Sequence, residues 1–505
     1  MISDWNEKNI GTFSINGKDY LGELKLSGSN SLLTVWGEDR ATSVLGHNLP
    51  DQIHGSFNDL KKVTLLDLFN FGGGHNSKQR SDGNYDYRYF SEICPSYVIL
   101  GDRYIAKEEQ SFEAIEFFIT HSSTLFFDSQ TFHDVIHTNK EMVERLITED
   151  HSKSEELYEN SFPRRSIKVG DYPIVSIYTG AHEIISFDTS LGRVEICNRP
   201  LHQLASPNGY KLENKVSCTI RFTKNLNFEQ ANKTTPPLLS IFELILGCKL
   251  EIIEYKLHSP STKEYPEIFD IYQCRESLNN DDEKIPHPAQ RLIHVESNQD
   301  EFKRVVCNWL IKKDDWQDAR WQFFGSFAEN KYDTDRLIKV ANMFDIIPTS
   351  AYGKKNNLPT ELEAAKQECR KIFKGLPDSI ERGSILGALG RLGTKTLKHK
   401  IQIRTDIIKS GASYDFTNIE LVISQSVDCR NYFVHGGNQK FDYYDNLDMV
   451  CFFISTLEFI YGVSELLESG WDFNNWKYNS PMNHPFYFYL ESYQFNINKL
   501  KNITN

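Results

Sequence analysis

Residues 428–437 read DCRNYFVHGG. Arg430 offers a planar, permanently charged guanidinium that can grip a carboxylate or a phosphate at two points. His435, five positions on, is a side chain that can take or give a proton near neutrality. Asn431 adds a neutral amide beside the arginine. These three types could hold an anion and move a proton next to it, the chemistry that phosphate transfer needs. The spacing alone says little. An arginine and a histidine with four to six residues between them are expected about once by chance in a chain of this length. A second copy is present, Arg40 and His47 in RATSVLGH, with no asparagine after its arginine.

What separates the copies is the support around them. Thr417-Asn418-Ile419-Glu420 has the form of a capping box, so a helix is expected to begin there. At about 100° per residue, Ile419, Ile423, Val427 and Val434 share a face with Arg430. Asn431 and His435 lie one i,i+4 step apart on a flank, and Gly436-Gly437 ends the helix. An arginine on an apolar face needs an anionic partner, because an unpaired buried charge is costly. That partner is a carboxylate of the same fold or a phosphate in a cleft. The next helix, 445–468, is apolar nearly all round, which predicts a core that doubles as a subunit interface. Its apolar run, 449–463, contains Glu458 and is too short to span a bilayer, so no membrane is expected. Ahead of the motif, Arg382, Arg391, Lys395, Lys398, Lys400, Arg404 and Lys409 face a single acid, Asp406. In a chain of net charge −13 this reversal marks a candidate phosphate-binding strip. The competing reading is a solvated helix face.

The chain that must position these residues has 505 of them, enough for two or three domains. Hydrophobic residues at 39% and aromatics at 13% support packed cores. The acidic balance excludes a general nucleic-acid coat protein. Nine cysteines, an odd number with no CxxC, fit reduced thiols better than a disulfide framework or a zinc ribbon. The start, MISDWNEK, carries no secretory signal, and a cytoplasmic location is expected. The fold class expected is α+β. Residues 1–150 form a β-rich domain of antiparallel sheets, with an Asn16-Gly17 hairpin. A break follows in the charged segment TEDHSKSEELYEN. Residues 151–290 form a second β-rich part with one short helix, capped by Thr235, carrying Pro236-Pro237 in its first turn and ended by Gly247. Its last stretch, 276–288, reads as a linker. Residues 291–470 are all helical, and 471–505 form an aromatic tail packing on the fold.

RNYFVHGG on the penultimate helix of such a bundle resembles the HEPN superfamily, over about residues 297–470. The motif of that superfamily is arginine, a polar residue that is usually asparagine, three or four residues, then histidine. The β-rich region followed by one such bundle, with segments such as DQIHGSFNDLKKVTLLDLF, resembles the ApeA family of anti-phage abortive-infection ribonucleases. The resemblance implies an HEPN domain at 291–470 and an endoribonuclease that needs neither metal nor other cofactor. It implies RNA as the partner, with transfer RNA as the favoured target, a homo-oligomer through the HEPN domain, and a phage-derived trigger gating the enzyme through the amino-terminal region. Carried over by position, Arg430, Asn431 and His435 are the catalytic set. Arg391, Lys395, Lys398, His399, Lys400 and Arg404 then become the RNA-binding strip. One histidine cannot be acid and base at once, and a twofold dimer supplies two. Some HEPN domains only bind, so a non-catalytic dimerisation module with a β-rich interaction domain is the competing reading.

Other constellations read as structure. His133 and His137 have helical metal-pair spacing but no third ligand. Phe71-Gly72-Gly73-Gly74-His75 lacks the Gly-Lys-Ser/Thr of a P-loop and reads as a flexible loop. Gly383, Gly387, Gly390 and Gly393 predict close helix packing or a break, since no strand precedes them. No Gly-x-Ser-x-Gly elbow is present. NWLIKKDDWQDARWQFF reads as core, with base stacking by its tryptophans as the lesser alternative.

Overall fold

The structure is a computed structural model that describes residues 9–135, 138–158, 167–207, 209–260, 266–276, 285–327, 331–353, 358–478 and 483–504. The expected hairpin is formed. Strands β1 (Asn9–Ile15) and β2 (Lys18–Lys25) pair antiparallel, and Asn16 and Gly17 both take positive φ between them. Four more strands complete a ring: β3 (Leu32–Gly37), β4 (Gln52–Phe57), β5 (Lys62–Gln79) and β6 (Tyr85–Gly101). β1 pairs with β2 and β4, β4 with β5, β5 with β6, β6 with β3 and β3 with β2. The six strands therefore close on themselves, and alternate residues fill the inside with Phe13, Leu24, Leu33, Val35, Ile53 and Val63.

From β6 the sheet continues as an open antiparallel array. It runs through β14 (Glu267–Gln273), β13 (Ile252–Ser259), β7 (Phe112–Ile119), β12 (Gly209–Leu226), β11 (Gly192–Ser206) and β10 (Glu183–Thr189). β7 lies between β12 and β13, so the expected break near residue 150 does not divide the sheet. The described part of the charged segment there, residues 148–158, belongs to a helix. After α1 (Ser122–Leu125) comes α2 (Lys140–Tyr158), flanked by a small sheet of β8 (Phe132–Val135) and β9 (Val175–Tyr178). The glycine-rich stretch 71–75 is strand, not loop. Beyond their barrel neighbours β5 and β6 go on as a two-stranded ribbon. A Cβ at Gly73 would sit 2.2 Å from the Ser43 carbonyl oxygen of the 3-10 helix Arg40–His47, so close approach is what requires glycine there.

After α3 (Phe228–Asn232), α4 (Thr235–Leu246) covers the open sheet. It starts after Thr234 rather than at the expected Thr235 cap, with the prolines in its first turn and left-handed Gly247 at its end. The expected linker falls largely outside the described residues, as does His137.

The helices are α5 (Gln299–Ile311), α6 (Lys313–Phe324), α7 (Thr334–Ile346), α8 (Thr360–Lys374), α9 (Ile380–Arg391), α10 (Leu397–Gly411), α11 (Ile419–His435), α12 (Leu447–Glu468), α13 (Phe473–Tyr478) and α14 (Pro485–Thr504). α12 is long and apolar enough to cross a membrane by length and composition, but 83% of that apolar window is buried. Its neighbours are α5, α7, α10, α11 and α14 of the same chain. Its all-round apolar surface is thus spent inside one chain, and the expectation that it also forms a subunit interface is corrected. The aromatic tail packs back: Trp471, Phe473, Trp476, Phe486, Tyr489 and Tyr493 are buried. α8 and α9 bury no residue. Gly383, Gly387 and Gly390 face open space, so close packing is not what they serve, whereas the expected break is present: α9 ends at Arg391 and Gly393 takes a positive φ before α10 begins. Of the tryptophan-rich stretch, Trp309 and Trp316 are core and Trp321 is exposed.

One apolar cluster runs from the open sheet through α4 and α5 into the bundle. Phe302 of α5 meets Phe126, Phe187 and Phe242, with ring centroids 6.0–6.2 Å apart. Trp309 Nε1 donates to the Pro237 carbonyl (3.1 Å), and the Leu292 amide to the Ile245 carbonyl (2.9 Å).

Candidate active site

α11 runs from Ile419 to His435, but its start is not a capping box. Asn418 takes a left-handed conformation with no side-chain cap bond, and Thr417 Oγ1 turns back to Asp415. Glu420 is engaged by Lys409 instead. Ile419, Ile423 and Val427 are buried as the periodicity predicts, while Val434 is exposed. At the far end Gly436 and Gly437 both have positive φ, and the Gly436 amide donates to the Tyr432 carbonyl (2.9 Å). Tyr432 and Phe433 pack on fully buried Tyr443, 5.4 and 5.9 Å between centroids, which anchors the last turn. The neighbouring Cys429 is no nucleophile, because burial pushes its thiol up to about 12.

Arg430 is half-buried and His435 exposed at the same helix end. Arg430 Nη1 donates to Asn431 Oδ1 at 3.0 Å and lies 3.5 Å from His435 Nε2. Nη2 donates to Oδ1 of Asn342, on α7, at 2.6 Å. Nε is turned inward with no hydrogen-bond partner. Asn431 thus turns its oxygen to the arginine. Asn342 is the residue that sequence reasoning missed. It lies 88 positions upstream and carries no charge; its one signal is a polar side chain in the otherwise buried turn Val340–Phe344.

The basic strip is less available than its count implies. Arg404 is fully buried and corrects the expectation that it binds RNA. Its Nε donates to Ser464 Oγ (2.9 Å), its guanidinium lies 5.1 Å from the Trp316 ring, and Nη1 is 2.9 Å from Glu468 Oε2, a charge contact without hydrogen-bond alignment. Arg382 pairs with Asp378, Lys400 with Asp345 and Lys409 with Glu420. Lys395 reaches the Tyr352 carbonyl, and Lys398 donates to Ser424 Oγ (2.9 Å). Lys398 and Lys400 thereby tie α10 to α11 and α7, the helices that carry the site. Arg391 and His399 are exposed.

The other Arg-His copy has a different form. Arg40 and His47 are exposed on the 3-10 helix capped by Asp39, and no contact joins them. This helix was not expected. His484, the histidine of the tail, is fully buried. Nε2 faces the Leu244 carbonyl (3.0 Å), Nδ1 accepts from the Phe486 amide (3.1 Å), and burial holds its pKa down at about 3. Among the described residues, no group of three or more His, Cys, Asp or Glu side chains is placed to hold a metal ion, and all nine cysteines are free.

Residues 8–309 match the family model of ApeA N-terminal domain 1, and residues 338–474 that of the Apea-like HEPN domain. The first match runs past residue 290 and takes in most of α5, in line with the shared core. No curated protein and no solved structure matches the chain.

Proposed function

The chain belongs to the ApeA family and carries an Apea-like HEPN domain, and on that premise we propose that it is an anti-phage endoribonuclease whose active site is built on Arg430 and His435. One observation carries this reading: how the arginines are neutralised. Buried Arg291, Arg320, Arg336 and Arg404 each meet a glutamate, at Glu296, Glu465, Glu458 and Glu468. Arg430 meets two amide oxygens and, among the described residues, no carboxylate. Its charge is left for an anion, and a proton carrier stands 3.5 Å away.

RNA supplies both the anion and the nucleophile. The ribose 2′-OH attacks the adjacent phosphorus and gives its proton to one histidine. The P–O5′ bond breaks, and the leaving oxygen takes a proton from a second acid. Arg430 offsets the charge that grows on the non-bridging oxygens. The second acid is His435 of a second copy, which makes the working unit a twofold dimer. Exposed Arg391, Lys398 and His399 guide the backbone; transfer RNA is the target we favour, in the cytoplasm. The barrel and open sheet respond to a phage-derived trigger.

The test is direct. Purified protein with bulk transfer RNA and excess chelator should give fragments ending in 2′,3′-cyclic phosphate and 5′-OH, and should spare DNA, which lacks the nucleophile. Cleavage that needs a divalent metal and leaves 5′-phosphate would overturn the mechanism. RNA binding without cleavage, unchanged in His435→Ala, would favour a non-catalytic module.

A further inference from the structure

We infer that Asn342 is a positioning residue for Arg430, and that the absence of charge on Asn342 is the property the site depends on. The inference rests on reading Arg430 as the phosphate-binding group.

A guanidinium has five N–H donors. In this site one on each terminal nitrogen goes to an amide oxygen, Asn431 Oδ1 on the same helix and Asn342 Oδ1 on α7. Nε points into the protein. One donor on each terminal nitrogen is left, and the one on Nη1 lies toward His435. The two amides fix the plane of the fork from two helices without spending its charge.

α7 shows the alternative in its first turn. Arg336 there is gripped at two points by Glu458, with Nε and Nη2 each 2.9 Å from a carboxylate oxygen. Arg336 is buried and neutralised. One and a half turns later the same helix presents an amide to Arg430. Asparagine and aspartate have the same shape, so an aspartate at 342 would put an oxygen in the same place and cancel the charge. A site meant only to fasten α7 to α11 would gain from that exchange. A site meant to receive phosphate would lose its function.

The experiment compares wild type, Asn342→Asp and Asn342→Ala in the full chain. Three quantities are read: thermal midpoint, cleavage of bulk transfer RNA, and anisotropy of a labelled 2′-O-methyl RNA oligonucleotide of mixed sequence at several salt concentrations. The 2′-O-methyl probe lacks the nucleophile, so binding is read apart from cleavage. Asn342→Asp should keep or raise the midpoint and weaken binding by about tenfold or more at low salt. Its plot of log affinity against log salt should flatten by about the 0.7 expected for one lost phosphate contact in a single strand. Asn342→Ala leaves the charge but frees the fork. It should bind within about threefold of wild type and cleave at least about tenfold more slowly, a loss in kcat rather than KM.

An Asn342→Asp protein that binds and cleaves like wild type would overturn the inference while leaving the ribonuclease reading standing. A wild type that binds but never cleaves, with binding lost in Asn342→Asp, would sink the ribonuclease reading and support the tether. A wild type that binds no RNA would overturn the inference with its premise.

Discussion

Arg336 and Arg430 stand in one helical bundle and serve opposite ends. Arg336, with Arg320 and Arg404, is sunk against α12, where Glu458, Glu465 and Glu468 absorb the charge. Arg320 also lies flat over the Trp309 ring, 3.6 Å from its centroid. These pairs are part of the packing. Arg430 sits at the rim with two amide dipoles and a histidine. A guanidinium can be taken from water in two ways: by neutralising it, which makes a brace, or by solvating it with neutral dipoles, which keeps it reactive toward anions. Residue type does not tell the two apart; the acceptor does.

The comparison breaks first on activity. His435→Ala should lower RNA cleavage by at least about a hundredfold, the scale of general acid–base catalysis. Arg430→Lys should fall similarly although charge is kept, because an ammonium lacks the two-point grip. Both should melt close to wild type. Rates read on bulk transfer RNA check this, and a fully active Arg430→Lys would show that the fork is not used.

The reverse holds for the braces. Glu465→Leu strands Arg320 in the core and should cost about 3–5 kcal/mol in a denaturant titration. Arg430→Gln should lose far less stability and nearly all activity. Equal stability losses would mean that Arg430 is a brace after all.

A smaller effect comes from pH. Burial holds folded His484 at about 3, against an ordinary value near 6.5. Its share of stability is present above about 6.5 and is lost as pH falls toward 3, because the unfolded chain binds the proton more readily. Glu243, on the helix that His484 contacts, is raised by burial to about 6 and slopes the other way. The urea midpoint should therefore fall less between pH 7.5 and 5 in His484→Gln than in wild type, and the difference isolates the histidine. The smallest expected effect is none: His47→Ala should cleave RNA as wild type does, since Arg40 and His47 share no contact. Loss of cleavage with the fold intact would make the barrel copy part of the site.

Much of the helical half was legible because α5, α7, α10 and α11 bury the apolar stripe their sequences carry, although α8 and α9 bury none. The Arg430–His435 pair was legible because a glycine pair ends its helix at once. What was lost shares one cause: sequence spacing does not report who the partner is. Arg404 lies on the stripe of Ile401, Thr405 and Ile408, so its burial was readable from the same periodicity, but counting charges along the chain hid it. Asn342 acts across two helices and has no pattern of its own. Residues 72–74 were read as loop because the 3-10 helix that approaches Gly73 was not foreseen. The cap at Thr417 failed because Asn418 turned left-handed and moved the helix start past it.

The single apolar cluster that joins sheet and bundle has a consequence for how the molecule opens. Because one buried cluster spans them, the amides of β7, β12 and α12 are expected to share their slowest hydrogen exchange through the same global opening. A fragment starting at residue 291 would bare Phe302, Trp309 and Leu292 on the side that Phe126, Phe242 and Ile245 now cover. Such a fragment is expected to be less stable than the full chain, since part of its core would face water. Leu292, Ile293 and Val295 are packed into that core, so gating by the barrel and open sheet would have to act through a packed junction rather than a free linker there.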